Sequence, residues 1–220
     1  MIEPQDRREL IVSCAAELFA RRSVAATTVR EIADAVGVLS GSLYHHFESK
    51  DAIVEAVLSG YLELIRAQYR QAISSGKTPA ERVHALVLAS LKIAEDQPYP
   101  TLIYQNEIHY LSESPQFAAV QKAAEEVQNT WLKVIEAGVR DGSFRKDLPA
   151  RTFYRLIRDA VWLSVRWHRP GGKYSTEQLA DDVTSIFLSG YLSASTEART
   201  AKAPASKAPV SKTARAAAKG

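Results

Sequence analysis

Between residues 28 and 50 the chain reads TVREIADAVGVLSGSLYHHFESK, a helix start, a stop and a restart in quick succession, and few folds accept two helices joined so tightly. Thr28, followed three residues later by Glu31, forms a capping box in which each side chain satisfies the other's unpaired backbone N–H. Val29, Ile32, Ala33 and Val36 keep one apolar stripe at helical spacing, and Gly37 supplies the left-handed backbone that ends the helix. The turn is then Gly37, Val38 and Leu39. Ser40 is placed to cap a second, shorter helix on which Leu43 and Phe47 point inward. Gly41, Ser42, Tyr44 and His45 are left outside, and no carboxylate occurs from residue 35 to residue 47. Such a face suits a helix entering the DNA major groove, where small residues let the backbone approach and donors meet phosphates and base edges. Thr28, Arg30, Ser40, Gly41, Ser42, Tyr44, His45 and Lys50 are therefore the candidate DNA-binding residues.

The rest of the chain predicts an all-α protein of about nine helices. A helix starting at Ser49 carries Ile53, Val57, Leu58, Tyr61, Leu62, Ile65 and Tyr69 and stops near Gly76; at ~1.5 Å per residue it spans about 38 Å. Pro79 opens the next helix, and Pro98 and Pro100 break it. YPTLIYQNEIHYL follows as one helix, Pro115 begins another that Asp141 and Gly142 end, and 149–168 and 175–192 complete the set. The last two are apolar on more than one side, so each needs partners on two faces. The expected partition is a DNA-binding domain at 1–48, a helical effector-binding and dimerisation domain at 49–193, and a basic tail at 194–220.

The tail has six basic residues (Arg199, Lys202, Lys207, Lys212, Arg215, Lys219) against Glu197, and its alanine- and proline-rich spacing has no apolar period, so it is expected to be disordered. The net charge of +3 thus belongs to the tail, and Arg7, Arg8, Arg30 and Lys50 must approach phosphates individually. The single cysteine excludes an intrachain disulfide, and Cys14 is expected as an inert core thiol on a Leu10, Cys14, Leu18 stripe. The charged N-terminus and the lack of a long apolar run argue against a signal peptide or membrane span, and a cytoplasmic location is expected. No GxSxG and no spaced metal ligands are present. The five histidines are scattered save His45 and His46, so no catalytic residue, metal site or cofactor is assigned.

Outside the DNA-binding segment, LIRDAVWLSVRWHRPGG (156–172) is the most distinctive stretch. Arg155, Arg158, Trp162 and Arg166 share a helical stripe. Cations near the end of this helix complement its dipole. Arg158, mid-helix among leucine, isoleucine and valine, calls for a partner, either an internal carboxylate or an anionic ligand.

The order of TTVREIADAVGV and GSLYHHFESK resembles the DNA-binding domain of TetR-family transcriptional regulators over about the first 50 residues. Ser23 departs from the glycine that family usually has after its first helix, which predicts local strain without a change of fold. With GVLSGSLYHHF and IYQNE (103–107), the 156–172 segment is similar to the KstR group of actinobacterial TetR regulators, and most similar to its second type. That resemblance implies a homodimer on an inverted-repeat operator, repression of genes for degrading the last cholesterol rings, and release by the CoA thioester of a bicyclic indanedione propanoate. It matches Arg158 and Trp162 to the ligand-contacting pair. Tyr104, Trp131 and Arg166 complete the expected ligand set, and Phe187, Gly190 and Tyr191 are placed at the dimer interface, with Gly190 and Ser189 letting the final helices approach closely. A drug or a fatty acyl-CoA is the alternative effector.

Overall fold

The computed structural model describes residues 4–190, without the side chains of 4–6, 108 and 109. Tyr191 and the basic tail lie outside the described residues. Helix α1 (Pro4–Arg22) buries Ile11, Ala15, Ala16 and Phe19. The expected stripe is out of phase: Leu10 is 39% exposed, and Cys14 is only half-buried, its thiol pushed up chiefly by partial burial. Both stripes have i, i+4 spacing, and the one carrying the small Ala15 and Ala16 is turned inward, where α1 meets its neighbours. The helix ends at Ser23, whose φ of 78° is the strained left-handed conformation expected there. Its backbone N–H bonds the Phe19 carbonyl and its own carbonyl accepts the Thr27 hydroxyl at 2.8 Å, so local hydrogen bonds hold the strain.

Helix α2 (Val29–Val36) has both halves of the Thr28–Glu31 capping box. At its end Gly37, with φ 74°, donates to Asp34, and Val38 donates to Ala33. This pair of bonds is a Schellman motif, which turns Val38 back against the core. Helix α3 (Ser40–Tyr44) follows at once and buries Leu43, with Phe47 buried just beyond it. Leu39, not Ser40, is its N-cap residue, and no side chain caps it. The Schellman turn delivers the chain already extended at Leu39, so the helix begins one residue earlier than a cap at Ser40 would give.

Helix α4 (Lys50–Ser75), capped by the Ser49 hydroxyl on the Ala52 N–H, buries the predicted stripe from Ile53 to Tyr69. It stops at Gly76, where a Cβ would lie 2.8 Å from the Arg82 side chain. Helix α5 (Pro79–Asp96) starts with a second capping box, Thr78 with Glu81. The single helix expected after Pro98 is two, α6 (Pro98–Asn106) and α7 (Ile108–Glu113), broken at Glu107. A 3-10 turn (Pro115–Phe117) leads into α8 (Ala118–Asp141), ended by Gly142 at φ 83°. Helix α9 (Ala150–Trp162) tightens into a 3-10 turn (Leu163–Arg166) before reaching His168, and α10 is Thr176–Ser189. Gly190, at φ 83° and exposed, follows the last described helix instead of lying inside it, and its left-handed backbone ends α10. The described residues thus hold ten α-helices and no strand.

Helix α4 packs on α5 and α8; α5 also meets α8 and α9, and α1 is held by α2, α4 and α6. Helix α1 therefore joins the DNA-binding region to α4 and α6. The described residues up to Leu188 form one unit.

Candidate DNA-binding face and effector site

The outward side of α3 is available to a partner. Tyr44 is 53% exposed, His45 and Gly41 are exposed, and Ser40 and Ser42 are half-buried. Gly41 has open space where a Cβ would be, so a nucleic-acid backbone can come close. Arg30 is exposed and held only loosely, at 4.0 Å from Asp34. Arg8 lies over the Phe47 ring at 4.6 Å, which steadies a cation beside the end of α3.

Two candidates have other work. Thr28 spends its hydroxyl on Glu31, donating to Oε2 at 2.9 Å and accepting the Glu31 N–H at 3.2 Å. These bonds from Thr28, with Arg22 beyond, hold the Glu31 carboxyl below its usual range. Lys50, expected on phosphate, donates its ammonium to the carbonyls of Val24 at 2.7 Å and Thr27 at 3.0 Å. The α1–α2 turn leaves those carbonyls without helical partners, and the start of α4 passes beneath them. With these bonds Lys50 acts as a strut under the α1–α2 turn.

The predicted effector residues fall into two groups. Trp162, Tyr61 and Tyr104 meet: the Tyr61 ring lies 6.2 Å from Trp162, edge-on, and 6.3 Å from Tyr104. Arg158 lies 5.9 Å from the Tyr154 ring, and its charge also reaches the Tyr104 phenol. Burial dominates both phenols and pushes their ionisation up despite the cation. Arg158 is not enclosed by aliphatic side chains as expected. Its side chain is 31% exposed and pairs with the adjacent Asp159 at 2.7 Å and 2.9 Å. Its helical position faces the rim of the aromatic cluster, where the guanidinium can be hydrated.

Trp131 belongs to the core instead. It is 1% exposed and packed 6.1 Å from Tyr69 and 6.2 Å from Tyr154. The Tyr69 hydroxyl pairs with Ser90 at 2.5 Å, and Ser90 donates to the Leu86 carbonyl, so this polar chain is satisfied without a ligand. Burial pushes the Tyr69 phenol up to about 12. Arg166 is exposed and donates to Asn106 Oδ1 at 2.8 Å.

That last contact leads to residues the sequence reading missed. At the α6–α7 break, Asn106 holds Arg166 after α9, Glu107 Oε1 accepts the Val24 N–H at 3.0 Å, and the Tyr110 hydroxyl donates to Asp51 in the first turn of α4. Three anchors, two of them on the DNA-binding region and the start of α4, thus converge on one break. The IYQNE motif was its only signal in the sequence.

The exposed apolar residues on the last helices are Leu156 (57%), Leu163 (36%) and Ile186 (47%). Phe187 is half-buried, 6.0 Å from Phe153 of its own chain. It also lines a groove of about 360 Å³ with Ile135, Val139, Phe144 and Leu148. No helix among the described residues is long and apolar enough to cross a membrane.

Comparison with known proteins places this architecture. Residues 11–57 match bacterial regulatory proteins of the tetR family, and residues 76–191 match the tetracyclin repressor-like C-terminal domain. Over 188 residues, 86% of this chain and 92% of the relative, the sequence is 43% identical to the HTH-type transcriptional repressor KstR2 of Mycolicibacterium smegmatis. The structure of the ketosteroid transcriptional regulator KstR2 of Mycobacterium tuberculosis matches with a TM-score of 0.77 at 40% identity, covering 86% of this chain and 96% of that one. AibR, solved in complex with isovaleryl coenzyme A and operator DNA, shares the fold at a TM-score of 0.74 and 20% identity, over 83% of this chain and 98% of that one. With its capped helix-turn-helix among the ten α-helices of the described residues, the chain belongs to the TetR family of DNA-binding transcriptional regulators and is similar within it to the KstR2 repressors.

Proposed function

We propose that this regulator represses genes of steroid-ring catabolism in the cytoplasm. In this reading it binds an inverted-repeat operator as a homodimer and is released by the CoA thioester of a fused-ring acid. The observation that carries the reading is the placement of Arg158 at the rim of the Trp162, Tyr61, Tyr104 and Tyr154 cluster. Fused aliphatic rings need flat apolar walls, and the phosphates of CoA need a guanidinium that can reach water-exposed anions. The Asp159 pair is half-solvated, so a phosphate displaces it at little cost.

Helix α6 offers the route from effector to DNA. It carries Tyr104 in the cluster and runs to Glu107, one turn on, which holds Val24 between α1 and α2. An effector that displaces Tyr104 tilts this turn and alters how the DNA-binding helices sit on α4. In a dimer, two α3 helices must reach major grooves roughly 34 Å apart, so a small tilt weakens both half-sites together. Leu156, Leu163 and Ile186 supply apolar area for the dimer seam. The switch is the difference in effector affinity between two dimer geometries.

Titration calorimetry with the thioester, the free acid and CoA on wild type, Arg158→Met and Trp162→Leu tests the effector site. The thioester should bind wild type far more tightly than either half, and each variant should weaken it at least tenfold. Equal affinity for the free acid removes CoA from the reading, and unchanged affinity in both variants places the site elsewhere.

A further inference from the structure

Leu39 is 83% exposed, the largest exposure among the bulky apolar side chains of the described residues. A single exposed leucine on an ordinary surface needs no explanation. This one sits where the outer surface is also the DNA-facing surface, immediately before α3. The backbone leaves it no alternative. The Schellman bonds of Gly37 and Val38 turn Val38 inward, and the Leu39 carbonyl is then claimed by the N–H groups of Ser42 at 2.9 Å and Leu43 at 3.3 Å. With both sides pinned and φ, ψ at −71°, 145°, the Leu39 side chain projects past the first turn of α3. Beside it Gly41 presents no side chain and Ser40 and Ser42 only small hydroxyls, so nothing of the described chain covers it.

In helix-turn-helix proteins the first residues of the second helix meet base edges. Those edges present hydrogen-bond donors and acceptors in the major groove, and the one methyl group among them is the 5-methyl of thymine. A leucine side chain can satisfy none of the polar groups and desolvates whichever it covers, at a cost unless it lies on that methyl. Val38 is turned away and Tyr44 has a phenol to place, which leaves Leu39 as the aliphatic group at the DNA-facing end.

We infer that Leu39 is a specificity-determining residue of operator recognition, reading one thymine per half-site by contact with its 5-methyl group. The inference rests on α3 being the groove-entering helix, and the test separates the two. An operator duplex recovered by in vitro selection with the full chain is prepared with each thymine in turn replaced by deoxyuridine, which removes the methyl and keeps every hydrogen-bonding group. Binding of wild type, Leu39→Ala, Leu39→Met and Tyr44→Ala is followed by fluorescence anisotropy.

Wild type should lose about fourfold in affinity at one symmetry-related position, the loss appropriate to one methyl no longer buried, and about 15-fold when both half-sites carry the change. Leu39→Ala should bind thymine and uracil duplexes equally, Leu39→Met should keep the discrimination, and Tyr44→Ala should weaken all duplexes while retaining it. Wild-type indifference to uracil at every position overturns the inference, as does a Leu39→Ala protein that keeps the same uracil-sensitive position. Undiminished binding by Tyr44→Ala, with no uracil sensitivity, shows that α3 is not the groove-entering helix and overturns the underlying reading as well. Because Leu39 is so exposed, its variants should melt as wild type does, and circular dichroism confirms that they fold.

Discussion

Replacing Glu107 should uncouple the effector from the DNA. Val24 is 2% exposed and its N–H donates to Glu107 Oε1 at 3.0 Å, an acceptor supplied from 83 residues away in the sequence. Glu107→Ala leaves that donor buried and unsatisfied, at a cost of about 1–3 kcal/mol. Because the α1–α2 turn has the neighbouring Lys50 strut, the turn stays folded and the loss falls on its attachment to α6. For a body of this size about 2 kcal/mol corresponds to a melting shift of roughly 4–8 °C. Glu107→Gln keeps a carbonyl acceptor at the same place and should cost less than about 1 kcal/mol. The assay pairs thermal melting with operator affinity measured with and without saturating thioester. The alanine variant should melt lower and show a much smaller ratio between the two operator affinities, while binding effector nearly as wild type does. Full coupling in Glu107→Ala, or equal loss in the alanine and glutamine variants, refutes the route through this hydrogen bond.

Other perturbations follow from the same geometry. Tyr44→Ala and His45→Ala should each weaken operator binding by ~1–3 kcal/mol without affecting melting, and a double variant of normal affinity contradicts the assignment of α3. Trp131→Leu should destabilise the fold by roughly 2–4 kcal/mol, since it opens a cavity beside Tyr69 and Tyr154, yet leave effector selectivity among folded molecules intact; chemical denaturation and calorimetry read the two separately. Removing the residues after 193 should lower affinity for random duplex DNA and flatten its log–log salt slope by about 0.9 for each phosphate no longer neutralised, with operator preference unchanged; identical salt slopes make the tail a passenger. Leu156→Arg combined with Ile186→Arg should yield a monomer by sedimentation and abolish operator binding, and a stable dimer moves the seam elsewhere.

What could be read from the sequence is what local chemistry decides. The Thr28–Glu31 box, the Gly37 stop and the strained Ser23 each depend on partners within five residues, the inward Leu43 and Phe47 follow from their helical spacing, and each is present as expected. The phase of α1 was lost because Leu10, Cys14 and Leu18 and Ile11, Ala15 and Phe19 repeat identically, and only packing chooses between them. Lys50 has the composition of a phosphate contact, but its carbonyl partners belong to a turn more than twenty residues earlier. Trp131 and Trp162 look alike in sequence and both are buried; only the fold shows that Trp131 packs on Tyr69, whose hydroxyl is already paired with Ser90, while Trp162 packs edge-on to Tyr61. Beyond its place in IYQNE, the role of Glu107 was not legible, since no short-range pattern marks a carboxylate whose partner is a backbone N–H beside another helix.

Release of the full chain from its operator is the most direct test of the account. A labelled duplex saturated with protein is titrated with the CoA thioester of a fused-ring acid, and in parallel with the free acid, with CoA and with a straight-chain fatty acyl-CoA. The account predicts that the thioester frees the duplex at concentrations where the other three leave the complex intact. Release by the fatty acyl-CoA at equal or lower concentration, or persistence of the complex at saturating fused-ring thioester, contradicts it.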